Sequence, residues 1–226
     1  MSIEIKNFYS KLKFPGVYIM DDILFYDEVV CNDYLKFYDE SIAGHNTVLD
    51  VGCGSGFIVN FVAHRHKNVH FTAIDFGDGI DFAKAFSKKN NITNITYHKV
   101  DFLEWKTTNK YDLVFCNGVL HHMPEQNTAI DKLKSLSNNE IMLGVYNTYG
   151  KLAKKFFRVN YVNSVLYVDQ EECPFEVSYT DNEIKKIFNE YTTDKVFPSV
   201  CGKLVDAKNL FNYKNGGLTL YQFKRK

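Results

Sequence analysis

The stretch from Val48 to Gly56, VLDVGCGSG, constrains this chain more than any other, because it runs from an apolar strand straight into three alternating glycines. Val48, Leu49 and Val51 have the pattern of a buried parallel strand, and Phe57, Ile58, Phe61 and Val62 recur at helical spacing. The glycines therefore lie on a strand-to-helix turn. Gly52, Gly54 and Gly56 carry no Cβ to hold a ligand off the backbone, and they accept positive φ where the chain reverses. Beyond them a helix amino terminus presents free N–H groups. A dinucleotide and S-adenosylmethionine both use such a turn, and spacing helps to separate them. The dinucleotide fingerprint is G-x-G-x-x-G/A, whereas here the third glycine comes one residue early and Phe57 occupies the expected place. That spacing disfavours NAD.

VLDVGCGSG closely resembles motif I of the class I S-adenosylmethionine-dependent methyltransferases. The resemblance implies a Rossmann-like, doubly wound α/β sheet of seven strands, mostly parallel with an antiparallel last strand. It also implies S-adenosylmethionine as cofactor, S-adenosylhomocysteine as product, and Asp50, Gly52, Cys53, Gly54 and Gly56 as its contacts, Cys53 through its backbone rather than its sulfur.

Val69 to Asp75 reads as a second strand ending on an acid, with Phe76 opening the turn that follows. A carboxylate offers two acceptor oxygens to the two hydroxyl donors of a ribose diol, and the interval of about twenty residues fits one strand–helix–strand unit. Asp75 is thus the expected ribose ligand, matching motif II of the family, with a helix cap as its alternative, and Asp78 is positioned to cap the next helix, to Lys89. Ile95 to Val100 then ends on Asp101-Phe102, a pair that resembles the family's adenine-binding step; the alternative is an Asp turned back onto its own backbone.

Tyr111 to Asn117 is a fourth, central strand, and its continuation, Asn117 to His122, resembles the NGVLHH loop of many small-molecule and some tRNA methyltransferases. That resemblance places Asn117 and His121 beside the methionine end of the cofactor, with His122 toward the acceptor. An imidazole near neutrality can remove a proton from a hydroxyl or ammonium acceptor, so His121 is the catalytic residue expected; packing of the loop is its alternative. Neither Asp-Pro-Pro-Tyr nor Asn-Pro-Pro-Tyr occurs at this place, which counts against exocyclic-amine and glutamine-amide acceptors.

Pro124 is expected to open a helix at its first turn, and Leu136 to Asn139 to form the turn before a fifth strand, Glu140 to Tyr146. The segment after it, with Tyr146, Asn147 and Tyr149, resembles a YNxYG signature at the acceptor end, where these residues either orient the acceptor or cap the following helix. Lys151 to Arg158 is a short basic amphipathic helix, either a grip for an anion or a solvated face. Thr180 to Glu183 has the sequence of a capping box. Two closing strands are expected at about Asp194 to Phe197 and Leu218 to Phe223.

A chain of 226 residues with 45% hydrophobic content fits one domain. Within it, the resemblance implies that residues 1–45 form an aromatic amino-terminal lid over the cofactor including Tyr9, Phe14 or Tyr18, with Tyr18 the acceptor contact; ordinary core packing of these aromatics is the alternative. Residues 46–146 form the cofactor-binding core, 147–180 the acceptor-side insertion, and 181–226 the last helix and closing strands. Lys plus Arg equals Asp plus Glu at 27 each, a balance that counts against a nucleic-acid partner. No signal peptide or membrane span is readable, so a cytoplasmic protein without membrane partners is expected. Five scattered cysteines with no CxxC pair point to reduced thiols and no metal. The expected function is methylation of a small-molecule acceptor on oxygen, nitrogen or carboxylate. Methylation of tRNA and a catalytically silent cofactor-binding subunit are the alternatives.

Overall fold

The computed structural model of this chain describes residues 3–11, 32–149, 151, 173–200, 203–204 and 218–226. Among them, strands β1 (Thr47–Val51), β2 (His70–Asp75), β3 (Ile95–Lys99), β4 (Tyr111–Asn117), β5 (Ser137–Tyr146), β6 (Tyr191–Val200), β7 (Lys203–Leu204) and β8 (Leu218–Arg225) form one sheet in the order β3-β2-β1-β4-β5-β8-β6-β7. The first five are mutually parallel, and β8 runs antiparallel to both neighbours, β5 and β6. These are the seven strands expected, with the antiparallel one last in the chain and the two-residue β7 extending the edge beside β6.

Alternation along the strands divides the core into two layers. On β4, Leu113 and Phe115 point into one cluster while Val114 and Cys116 point into the other; on β1, Val48 parts from Leu49 and Val51 in the same way. Helices α2 (Asn32–Ser41), α3 (Phe57–Arg65) and α4 (Gly79–Lys89) cover the first face through Leu35, Val59, Val62, Ile80 and Phe86. Helices α5 (Gln126–Leu136) and α6 (Asp181–Ile187) cover the second through Ile130, Leu133 and Ile184. Burial on both faces is what the near-continuous apolar runs of β1 and β4 require.

Local chemistry departs from expectation at three joints. Asp78 precedes α4, yet its side chain makes no cap hydrogen bond; its carboxylate instead takes Lys99 Nζ at 2.7 Å. Pro124 lies ahead of α5, which begins at Gln126 with Glu125 as its cap. No asparagine turn separates α5 from β5, because Ser137 is already extended and pairs with Tyr111, and the register shift before Leu113 absorbs the extra residues. The capping box forms as read: the Glu183 N–H donates to Thr180 Oγ1 at 3.3 Å, and the Thr180 N–H to Glu183 Oε2 at 2.7 Å. The aromatic segment containing Phe14 and Tyr18, most of the basic helix after Lys151, and most of the loop before β8 lie outside the described residues. No described helix is long and apolar enough to cross a membrane.

Candidate functional site

The parallel strands end along one line, and the turns leaving them line a cleft that is open to solvent. Open α/β sheets bind ligands at this position, beyond the carboxyl ends of the strands. The floor is the glycine turn, tied to the end of β2 because the Gly52 and Cys53 N–H groups both donate to the Ile74 carbonyl, at 2.8 and 3.1 Å. Gly56 caps α3 in the left-handed conformation at φ 80°, and a Cβ there would collide with Ala83 and Asn60. At Gly52 the same space is filled by Val119. Two of the three glycines thus admit close packing of the protein on itself, against the loop after β4 at Gly52 and against α4 at Gly56.

Asp75 ends β2 at the cleft wall. Its Oδ2 accepts the Gly54 N–H at 2.8 Å and its Oδ1 the Gly77 N–H at 2.7 Å, with the Phe76 backbone N–H a third donor. Burial nevertheless raises its pKa above the ordinary carboxylate value, these backbone donors acting in the opposite direction. Asp50 is buried behind it, and burial followed by the Asp75 charge pushes its carboxyl up to about 7. Burial also drives the Cys53 thiol well above its usual value, leaving it inert.

Gly52, Gly54, Asp75, Phe76, Phe102, Asn117 and His122 all meet on this one wall, together with Ile5 and Tyr9 from helix α1 (Ile3–Lys11). Asp50, Cys53, Gly56 and Asp101 stand behind it or beside it. Asp101 Oδ1 accepts the Leu103 N–H at 2.9 Å, the self-directed turn weighed above, and its Oδ2 pairs with Lys6 of α1 at 2.9 Å. Burial would raise the Asp101 pKa, but the hydrogen bonds from Lys6 and Leu103 outweigh it and hold the carboxyl below its ordinary value.

The paired histidines part company. His121 is fully buried, its ring 3.8 Å centroid to centroid from Tyr146, and neither nitrogen has a hydrogen-bond partner among the described residues. Burial, then the charges of His122 and Lys151, lower its pKa well below the ordinary imidazole value. Such a ring is a poor proton acceptor, and the cleft wall carries His122 instead. The His122 Nδ1 lies 3.2 Å from both the Phe175 carbonyl oxygen and Cys173 Sγ.

The YNxYG residues lie away from that wall. Tyr146 is buried against His121. Asn147 Oδ1 accepts the Tyr149 N–H at 2.9 Å, and its Nδ2 donates to Asp181 at 3.0 Å, so it joins the end of β5 to α6. Tyr149 is 59% exposed. Tyr18 lies outside the described residues. Sequence reading missed Lys132 of α5, whose ammonium donates to the carbonyls of Phe102, Leu103 and Trp105 at 2.6, 3.1 and 2.5 Å. It also missed Cys173, which lies 51 residues from the histidine it contacts. Neither carries a local sequence signal. No group of three or more metal-ligating side chains is present among the described residues.

The family model described as "Methyltransferase domain" matches residues 42–197. The chain is 26% identical over 150 residues to a probable (S)-tetrahydroprotoberberine N-methyltransferase 2 from Papaver bracteatum, covering 66% of this chain and 42% of that protein. It is 26% identical over 162 residues to a malonyl-[acyl-carrier protein] O-methyltransferase from Acetivibrio thermocellus, covering 70% of this chain and 56% of that protein. The matched region thus spans about half the length of either relative. Among solved structures, magnesium protoporphyrin IX methyltransferase from Synechocystis PCC 6803 with bound S-adenosylmethionine shares the fold, with a TM-score of 0.63 at 15% identity over 100% of this chain and 99% of that one.

Proposed function

This chain belongs to the methyltransferase-domain family, and we propose that it binds S-adenosylmethionine in the cleft, methylates a small-molecule acceptor on oxygen, nitrogen or carboxylate, and releases S-adenosylhomocysteine. The observation that carries this reading is the meeting of Asp75 with the glycine turn on one wall. Asp75 accepts backbone N–H groups from Gly54 and Gly77, with Phe76 a third backbone donor, and a carboxylate with about four acceptor sites keeps capacity for a ribose hydroxyl. The Cβ position of Gly118, also on the wall, meets nothing within 4 Å, so the space a ligand needs there is open. The names of the two relatives, one an N- and one an O-methyltransferase, support an acceptor nitrogen or oxygen.

When bound, S-adenosylmethionine would supply a methyl group activated by its sulfonium. The chain's part is alignment and exclusion of water. Asp75 and the turn at Gly52 and Gly54 would hold the nucleoside, with Phe76 and Phe102 providing apolar walls and Asn117 meeting the far end. Ile5 and Tyr9 of α1 line the same cleft. Where the acceptor must lose a proton, the imidazole positioned to take it is His122, in place of His121.

Incubation with methyl-labelled S-adenosylmethionine and a cell extract divided into small-molecule, RNA and protein fractions tests the proposal. Label in the small-molecule fraction is expected. Label confined to nuclease-sensitive RNA would overturn the acceptor class, and binding without label in any fraction would identify a silent subunit.

A further inference from the structure

Cys173 stands at the rim of the cleft, where three segments distant in sequence converge. Its Sγ lies 3.2 Å from His122 Nδ1, 3.2 Å from the Phe175 carbonyl oxygen and 3.8 Å from the Tyr9 hydroxyl. Tyr9 and His122 both line the cleft. The thiol is partly exposed, whereas Cys53 and Cys116 are buried. An adjacent imidazole that can take the thiol proton, together with a hydroxyl that can donate to the sulfur, is the arrangement that turns an inert thiol into a nucleophile. Burial opposes ionisation here, but the contacts with His122, Phe175 and Tyr9 outweigh it and hold the Cys173 pKa below its ordinary value. Burial instead pushes Cys116 up to about 12.

We propose that Cys173 and His122 form an activated thiol–imidazole pair, and that Cys173 is a site of modification by peroxides at the rim of the cleft. The thiolate sulfur attacks one peroxide oxygen, so that an S–O bond forms and the O–O bond breaks. The departing hydroxide takes the proton held by the imidazolium, which gives a sulfenic acid and water. Sulfur loses two electrons and the peroxide gains them. The added oxygen lies between Tyr9 and His122, so oxidation obstructs acceptor entry and alters the imidazole's surroundings. That consequence rests on the acceptor end proposed above; the modification itself does not.

The test uses limiting iodoacetamide at pH 7 on the folded chain, with each cysteine followed by peptide mass. Cys173 is expected to react about tenfold faster or more than Cys53, Cys116 and its own thiol in the urea-unfolded chain, as an activated thiolate should. Substitution His122→Gln is expected to slow it about fivefold or more, and Tyr9→Phe to slow it less. Hydrogen peroxide followed by a sulfenic-acid trap is expected to label Cys173. Equal rates in the folded and unfolded chains, or no trapped label at Cys173, would overturn the proposal, and if His122→Gln fails to fold the urea comparison still decides. None of these readouts depends on methyl transfer, so a failure here and a failure of the methyltransferase reading are separately visible.

Discussion

Asp50 and Asp75 place two carboxyls at a single turn, Asp75 on the cleft wall and Asp50 buried behind it, and the deeper one bears the larger cost. Asp50 has its pKa raised to about 7 from an ordinary 3.8, first by burial and then by the neighbouring charge. Below about pH 4 the folded and unfolded chains both hold this proton. As pH rises toward 7 the unfolded chain releases it while the folded chain retains it, so stability falls through that window and stays lower above it. Substitution Asp50→Asn should therefore raise stability by on the order of 2–4 kcal/mol at pH 8, with little gain at pH 4, as read from urea midpoints at the two values. The glycine turn and Asp75 were legible in the sequence because their chemistry is local: a strand, a reversal and an acid at the next strand's end. The choice between His121 and His122 was not. The two are adjacent in a three-residue helical turn, Leu120–His122, and only the packing of Tyr146 and Phe175 around that turn decides which ring is sealed and which reaches the cleft.

Among the elements, α5 acts on the cleft without lining it. Lys132 gathers three carbonyls from the turn after β3, and its ammonium lies 5.2 Å from the Phe102 ring centroid. This clamp fixes the turn that carries Phe102 onto the cleft wall. Substitution Lys132→Met should cost about 1–3 kcal/mol, because the carbonyls lose their donor, and should weaken S-adenosylhomocysteine binding; Lys132→Arg should recover part of both, by thermal melting and titration calorimetry. Element type was readable from the periods of 2 and 3.6 residues, and β4 was placed to the residue. Element ends were not, because tertiary partners set them. Lys99 draws away the side chain of Asp78 that was expected to cap α4, and pairing of Ser137 with Tyr111 starts β5 where a turn was expected.

At the scale of the molecule, cofactor binding should couple to stability. A ligand that binds only the folded state adds RT ln(1 + [L]/Kd), about 2.7 kcal/mol at a hundredfold excess over Kd. S-adenosylhomocysteine should therefore raise the melting temperature in a concentration-dependent manner, while NAD at the same concentrations should leave it unchanged. The sheet was legible as a whole because the family resemblance implied seven strands, and seven segments of strand length fall in order along the sequence. How α1 joins the cleft wall was not, since Lys6 and Asp101 form their pair across 95 residues with no shared motif. One property of the sheet also bears on how the chain is made. Strand β8 pairs with β5 on one side and β6 on the other, so the order of synthesis is not the order of assembly. A ribosome that has delivered residues as far as 200 has made both flanks of a slot but not the strand that fills it. Until Leu218–Arg225 emerges, the β5 edge presents unpaired N–H and carbonyl groups beside an apolar face, the kind of surface that captures a second unfinished chain. The nascent protein is then most exposed to misassembly in the interval before β8 arrives, and chaperone occupancy during translation should peak there.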